Sequence, residues 1–365
     1  MNTPLFKVFM PESVIPKLQE TLFSGYIAEG EKVFELSKQM REFVGNENLV
    51  LMNSCTSALA IALRLSGTKH GSEVISTPLT CVAANQAISS LGANVVWADV
   101  EKETGMVDPS TLEDLITEKT TAIMILHKEG DPAKLDEILT IAHRHGIKMV
   151  EDAAHAIGAE YKGKKIGSYG DFACFSFQAI KHITTGDGGA LACGDPEDAA
   201  RARKMKWLGV DKEKTYAGSP WLEDIDDWGY KANMHDISAT IGLEMMPHLQ
   251  SIIDAHNRNG RLLDELLQGV SGINLVPRSE EHFSTYWAYC LLVEEREKLM
   301  KKLADHGFGS GQIHPRNDRY SLFAYANREL PGVDYFDPRE LAIPCGWWME
   351  KEDVGRLADV IKSGW

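Results

Sequence analysis

Two residues in this chain have the types and the settings for one kind of carbonyl chemistry. Lys181 follows the apolar run Ala173-Cys174-Phe175-Ser176-Phe177-Gln178-Ala179-Ile180 and precedes the turn Gly186-Asp187-Gly188-Gly189. Asp152 closes Met149-Val150-Glu151-Asp152 and is followed by Ala153-Ala154-His155-Ala156. An amine must be unprotonated to attack a carbonyl, and burial beside cationic groups lowers its pKa. A carboxylate at the C-terminal end of a strand lies where open α/β sheets bind ligands. Lysine for a Schiff base and aspartate for a pyridinium nitrogen are the pair that pyridoxal phosphate (PLP) chemistry requires. The cofactor's phosphate needs a site of its own. Asn53-Ser54-Cys55-Thr56-Ser57-Ala58-Leu59 offers hydroxyls and backbone N–H groups at a helix start, with Ser176 as a further hydroxyl. Each feature also has a plainer reading: a capping aspartate, a surface lysine, a hairpin turn, a helix cap without ligand. Their joint occurrence, in one chain order, is the specific signal.

These groups need elements to hold them. The first two thirds alternate short apolar runs with helical patterns. Strands are expected at 48–52, 73–77, 94–100, 121–126, 148–151, 172–177 and 189–193. Helices are expected at 56–65, about 81–91 and about 134–145. Such alternation predicts right-handed crossovers and a mostly parallel sheet covered on both faces. Strands 172–177 and 189–193 flank a tight turn and predict an antiparallel member. A helical pattern over about 237–267, broken near Pro247, carries the chain into a second unit with a strand at 286–293 and helices at 294–306 and about 352–363. The division is therefore 1–248, a large domain, and 249–365, a small C-terminal α+β domain. Residues 211–229 read as a polar, aromatic lid or interface arm.

The totals narrow the function class. The chain has 365 residues, 44% apolar, with a net charge of −15 and no basic block. That argues against nucleic acid or anionic membrane as partner. No apolar run approaches the roughly 18 residues of a spanning helix, and no signal peptide is visible. The six cysteines form no C-x-x-C and read as reduced thiols of a cytoplasmic protein. No histidine spacing suggests a metal site.

Nearly end to end, the chain resembles the DegT/DnrJ/EryC1/StrS family of PLP-dependent sugar aminotransferases. The resemblance rests on Ser24-Gly25-Tyr26-Ile27-Ala28-Glu29-Gly30, on Asn53-Ser54-Cys55-Thr56-Ser57-Ala58-Leu59, on Glu151-Asp152-Ala153-Ala154-His155-Ala156, on Phe175-Ser176-Phe177 with Lys181 and Gly186-Asp187-Gly188-Gly189, and on Gly229-Tyr230-Lys231-Ala232-Asn233-Met234-His235-Asp236-Ile237. It implies a fold type I aminotransferase, with Lys181 as the Schiff-base lysine and Asp152 as partner of the pyridine nitrogen. It implies His155 beside the ring, Thr56, Ser57 and Ser176 on the phosphate, and Asn233 donated to the phosphate of a neighbouring subunit, hence a homodimer with shared sites. L-glutamate is the implied donor and a nucleotide-linked 4-keto-6-deoxy sugar the implied acceptor. Cys81 stands where many members stack an aromatic on the ring; its sulfur can pack there instead. Lys128 and Glu129 stand where apolar residues are commoner, so the pair either retunes substrate recognition or forms a solvated salt bridge. His314 and Arg316 are candidates for a substrate diphosphate, and Tyr26 and Tyr230 for sugar or base. Dehydration, which a related branch performs with histidine in place of the lysine, remains an alternative. So do a non-nucleotide keto substrate and a non-catalytic regulator.

Overall fold

The computed structural model describes residues 2–211 and 224–365. Most of the expected 211–229 arm lies outside these residues. Two helices, α1 (Val14–Phe23) and α2 (Glu31–Val44), precede β1 (Leu49–Met52) and α3 (Cys55–Leu65). Then follow β2 (Glu73–Ser76), α4 (Val82–Ser90), β3 (Asn94–Trp97), β4 (Thr120–Leu126), α5 (Leu135–Arg144) and β5 (Lys148–Asp152). A small ribbon, β6 (Glu160–Tyr161) and β7 (Lys164–Lys165), leads to β8 (Phe172–Ser176), β9 (Gly189–Cys193) and α6 (Pro196–Met205).

The main sheet has seven strands in the order β1-β9-β8-β5-β4-β2-β3. Strands β3, β2, β4, β5 and β8 run parallel, and β9 runs antiparallel to both β8 and β1. Side chains on a strand alternate between the two faces, and the core divides accordingly. Val50, Met52, Val74, Met124, Val150 and Cys174 pack with residues of α3, α4 and α6. Leu49, Leu51, Ile75, Ile123, Ile125 and Met149 pack with residues of α2, α5 and α7 (Asp236–Leu267). Both faces are thus covered, as a parallel sheet requires.

Helix α7 is continuous over 32 residues with Pro247 inside it. The expected break does not occur, and the proposed division at 248/249 falls within the helix. An interior proline costs about 3 kcal/mol; here Met245, Leu249, Ile252 and Ile253 lie in the main core, and Leu263 and Leu267 in a further one. That further core belongs to β10 (Ile273–Leu275), β12 (Tyr289–Val293) and β13 (Glu340–Ile343), an antiparallel sheet in the order β10-β12-β13, with α8 (Arg296–Asp305) and α10 (Lys351–Lys362). Strand β11 (His282–Phe283) crosses back to pair with β6, and α9 (Pro331–Phe336) precedes β13. Strand β12 starts three residues later than expected. Tyr286 adopts φ 45°, which an extended strand excludes.

Among the described residues, no helix is long and apolar enough to cross a membrane. All six cysteines are unpaired, five of them buried and Cys81 half-buried.

Candidate active site

The C-terminal ends of the parallel strands and the first turn of α3 converge on one place. Asp152 is the last residue of β5 and is buried. Its Oδ1 accepts from the Ala154 N–H at 3.1 Å, and the Cys55 Sγ lies 4.0 Å away. Burial pushes the Asp152 carboxyl above its usual range, while the Ala154 N–H and the charges of Lys181 and His127 pull it back. The strand end is fastened from β4. The His127 N–H donates to the Asp152 carbonyl at 3.1 Å. The His127 ring accepts from the Ala133 N–H on Nδ1 at 3.1 Å, so its Nε2 carries the proton shared with Glu151 at 2.9 Å.

Lys181 sits in the turn after β8, its N–H donating to the Gln178 carbonyl at 2.9 Å. Burial lowers its amine from 10.5 to about 8, against the opposing pull of Asp152, Cys55 and Cys81. An amine in that range gives up its proton near neutral pH, as a Schiff-base and proton-shuttling lysine must. Asp152, Cys55 and Lys181 therefore sense one another across the strand ends, and Cys81, which caps α4, closes the same space. Burial, and next the Asp152 charge, keeps the Cys55 thiol protonated.

The phosphate end is built by α3. Ser54 is extended and its Oγ accepts from the Ser57 N–H at 3.1 Å, while Ser57 Oγ donates to Asn53 Oδ1 at 2.7 Å. Thr56, exposed on the first turn, and the remaining amides of that turn stay available to an anion. Gly189 makes the approach of helix to sheet possible: a Cβ there would lie 2.5 Å from Cys55 N and 2.7 Å from Phe175 O. Ser176 is directly opposite Gly189 in the β8–β9 ladder. The residues present fit PLP. The helix N-terminus would take the phosphate, the strand-end carboxylate the ring nitrogen, and the Lys181 amine the aldehyde. The buried His155 Nδ1 has no hydrogen-bond partner among the described residues and would be able to donate to or accept from a bound ring.

The structure adds one residue that the sequence did not single out. Trp287 stacks on His155 with centroids 3.8 Å apart and planes at 10°, and the Lys181 Nζ lies 3.7 Å from its ring centroid. His314 lies nearly parallel to His155 at 5.5 Å. Burial, with the charges of Lys128 and Lys181, lowers His314 to about 3. No sequence signal beyond an aromatic residue at a strand start marks Trp287.

Four other candidates are not among the groups that act on Asp152, Cys55 and Lys181, although the Lys128 charge reaches His155 and His314. Arg316 grips Asp318 through Nε and Nη2 at 2.8 and 2.5 Å and Asp334 through Nη1 at 2.5 Å, so its guanidinium is already committed. Lys128 is buried, its Nζ 2.7 Å from Glu340 and 2.8 Å from Glu129, so this pair is not a solvated salt bridge. Burial alone would lower the Lys128 amine, but the two carboxylates hold it above its usual range; burial pushes Glu129 up to about 7. Carboxylates of Glu129 and Glu340 and the Cys290 sulfur also lie within 4.8 Å of one another, the one such donor group among the described residues. Tyr230 lies beside Arg64, nine residues beyond Cys55 on α3 or about 14 Å along its axis. Tyr26 is 82% exposed. The segment carrying Asn233 is strapped to the start of α3, with Asn53 N–H donating to the Ala232 carbonyl at 2.8 Å. The Asn233 side chain donates to the Met234 carbonyl at 3.3 Å.

A lysine and an aspartate set at the ends of a mostly parallel sheet, over a helix that presents its N-terminus, define a PLP enzyme of fold type I. The match to the DegT/DnrJ/EryC1/StrS aminotransferase family covers residues 10–362, and the chain belongs to that family of PLP-dependent sugar aminotransferases. It is 32% identical over 366 residues to the spore coat polysaccharide biosynthesis protein SpsC of Bacillus subtilis, covering 96% of this chain and 93% of that one. Its fold matches that of the sugar aminotransferase CalS13 from Micromonospora echinospora with a TM-score of 0.95 at 32% identity, over 99% of this chain and 100% of the other. The putatively named sugar aminotransferase Spr1654 of Streptococcus pneumoniae, in its PLP form, matches with a TM-score of 0.90 at 27% identity, over 100% and 98% of the two chains.

Proposed function

We propose that this protein transfers the amino group of L-glutamate to a nucleotide-linked keto sugar, a 4-keto-6-deoxy sugar in the first instance. The observation that carries the reading is the Lys181 amine, lowered to about 8 within electrostatic reach of Asp152 and Cys55, which themselves lie 4.0 Å apart. PLP, when bound, supplies the electron sink and carries nitrogen between the two substrates. The first turn of α3, with Thr56, Ser57 and Ser176, holds the phosphate. Asp152 as a carboxylate would favour a proton on the ring nitrogen, and the Ala154 N–H and the charges of Lys181 and His127 help to keep it ionised against its burial. Lys181 Nζ would be the group that takes the proton from the donor's Cα and returns it in the same half-reaction. Glutamate leaves as 2-oxoglutarate. The reverse sequence turns the sugar's carbonyl into an amine, so the two half-reactions balance.

The nucleotide, the 4-position and the glutamate donor rest on the family resemblance, with kinship to CalS13 and SpsC as support for a sugar acceptor. The guanidinium of Arg316 is held by Asp318 and Asp334, which disfavours it as a diphosphate ligand. The neutral His314, with Nε2 buried and unpartnered among the described residues, is the better polar contact for the acceptor. A homodimer is part of the same reading. Phe23 and Tyr26 are 83% and 82% exposed, and Tyr26 and Ile27 line a groove of about 840 Å³ bordered by Asp236. Large apolar side chains so exposed favour a protein interface. In that assembly Asn233 serves the phosphate of the neighbouring site. The division into domains at 248/249 is kept as a functional one, with cofactor groups before it and the acceptor wall after it.

The test is a half-reaction. Cofactor-loaded protein mixed with L-glutamate alone should lose its visible band and release one 2-oxoglutarate per site, and Lys181→Ala should do neither. A wild-type protein that binds PLP yet releases no oxo acid from any amino donor overturns the proposal. Amination of a panel of keto sugars, free and nucleotide-linked, then decides the acceptor.

A further inference from the structure

We propose that Trp287 is a positioning residue of this site, fixing the Lys181 amine and the His155 ring relative to each other; the inference rests on the aminotransferase reading above. The indole is 3% exposed. It meets three separate parts of the chain. His155 stacks on it at 3.8 Å, Lys181 Nζ lies 3.7 Å from its centroid, and Phe6 of the N-terminal segment stacks at 4.7 Å. Its Nε1–H donates to the carbonyl of Ile180 at 2.9 Å. That carbonyl belongs to the residue immediately before Lys181, so indole and lysine are keyed through one peptide bond.

The turn that delivers Trp287 is built for placement. Tyr286, just before it, has φ 45°, a conformation that costs an aromatic residue energy unless its surroundings enforce it. Here they do. The His256 ring and the Cys345 thiol both reach the Tyr286 carbonyl, at 2.9 and 3.2 Å, and His182, the residue after Lys181, reaches the Thr285 carbonyl at 3.1 Å. Thr285 donates from its N–H to the Gly130 carbonyl at 3.0 Å and from Oγ1 to the His155 carbonyl at 3.1 Å. A tryptophan that merely filled the core would not need its turn fastened to the loops that carry His155 and Lys181.

The physics gives the indole two effects on the amine. It excludes water, which disfavours the ammonium, and its π face attracts the ammonium. Burial is the larger influence on Lys181. The titratable groups facing that amine are Asp152, Cys55 and Cys81, with the low-pKa His155, His182 and His314 around it. With the indole gone, water should reach the amine and the His155 ring should lose the plane that fixes its free Nδ1.

The experiment uses full-length wild type, Trp287→Phe and Trp287→Ala. Each is stripped of PLP, then followed as PLP is added back across pH by the return of the visible band, with kcat and KM for glutamate measured separately. The pH midpoint of band recovery should rise by about one unit in Trp287→Ala, as restored solvation of a buried amine requires. Its kcat should fall about tenfold or more with KM for glutamate changed less than about threefold, the signature of lost positioning. Trp287→Phe should fall between. A folded Trp287→Ala with the wild-type midpoint and kcat overturns the inference. If that variant does not fold, a Trp287→Phe equal to wild type in both measures overturns it. A wild-type protein that gains no band with PLP overturns the functional reading itself, a result distinct from normal band recovery in the variants.

Discussion

Removing the Lys181 amine should make the cofactor-free protein more stable. Lys181 is half-buried as a residue, but its amine end is desolvated by the groups packed around it, and its pKa falls from 10.5 to about 8 on folding. A lowered lysine pKa means that the unfolded chain binds the proton more tightly. The penalty is therefore complete below about pH 8 and is relieved as pH rises toward 10.5. At 1.36 kcal/mol per unit, the cost is about 3 kcal/mol at pH 7 and about 1 kcal/mol at pH 9.5. Lys181→Met keeps most of the volume and drops the charge. One effect opposes the gain: Asp152 loses the charge of Lys181, one of the influences that lower its pKa. The variant should therefore gain up to about 3 kcal/mol at neutral pH, and the gain should shrink by more than half at pH 9.5. Urea unfolding of both proteins without PLP, at both pH values and with equal m-values, measures it. A variant less stable than wild type at pH 7, or a difference that does not change with pH, refutes the reasoning. The amine would then be solvated, and its role as a base near neutrality would lose its physical ground.

Three further outcomes follow from the geometry. Gly189→Ala puts a methyl against backbone atoms of Ser54, Cys55 and Phe175, so the first turn of α3 must retreat; PLP retention on dialysis should fall at least about tenfold. Lys128→Met strands Glu129 and Glu340 without their cation and should cost about 3–5 kcal/mol in urea unfolding. Adding Glu340→Gln should recover part of that loss. Arg316→Gln should leave KM for the acceptor within about twofold, because its guanidinium is held by Asp318 and Asp334; a KM raised tenfold would reinstate it as a substrate contact.

The proposed cofactor groups stand out in the sequence because each depends on local context. Asp152 closes an apolar strand, Lys181 precedes a glycine turn, and Ser54 to Ser57 open a helix; the pattern of types and spacings carries the meaning. The antiparallel strand β9 was readable too, since a glycine-rich connection joins two apolar runs. What stayed hidden depends on distant partners. Lys128 and Glu129 look solvated in sequence, yet Glu340 arrives from 212 positions away to bury them. Trp287 reads as the second residue of a strand, and only the φ of Tyr286 turns it toward Lys181. Arg316 looks like a phosphate ligand until Asp334 is seen beside it. The break expected at Pro247 fails because packing on two cores outweighs a local preference.

One polar clasp bears on how such an enzyme can be redesigned. Asn317, wholly buried, donates from its side chain to the Thr80 carbonyl at 3.0 Å and accepts from the Asn85 side chain at 2.8 Å, and its N–H reaches the Pro78 carbonyl at 2.9 Å. It thereby rivets the segment bearing His314 to the loop bearing Cys81. For loop grafting, Asn317 and Asn85 are the fixed posts. Residues on either side can be exchanged to test the proposed acceptor contacts, whereas a graft that replaces either asparagine would free the segment bearing His314 from the loop bearing Cys81.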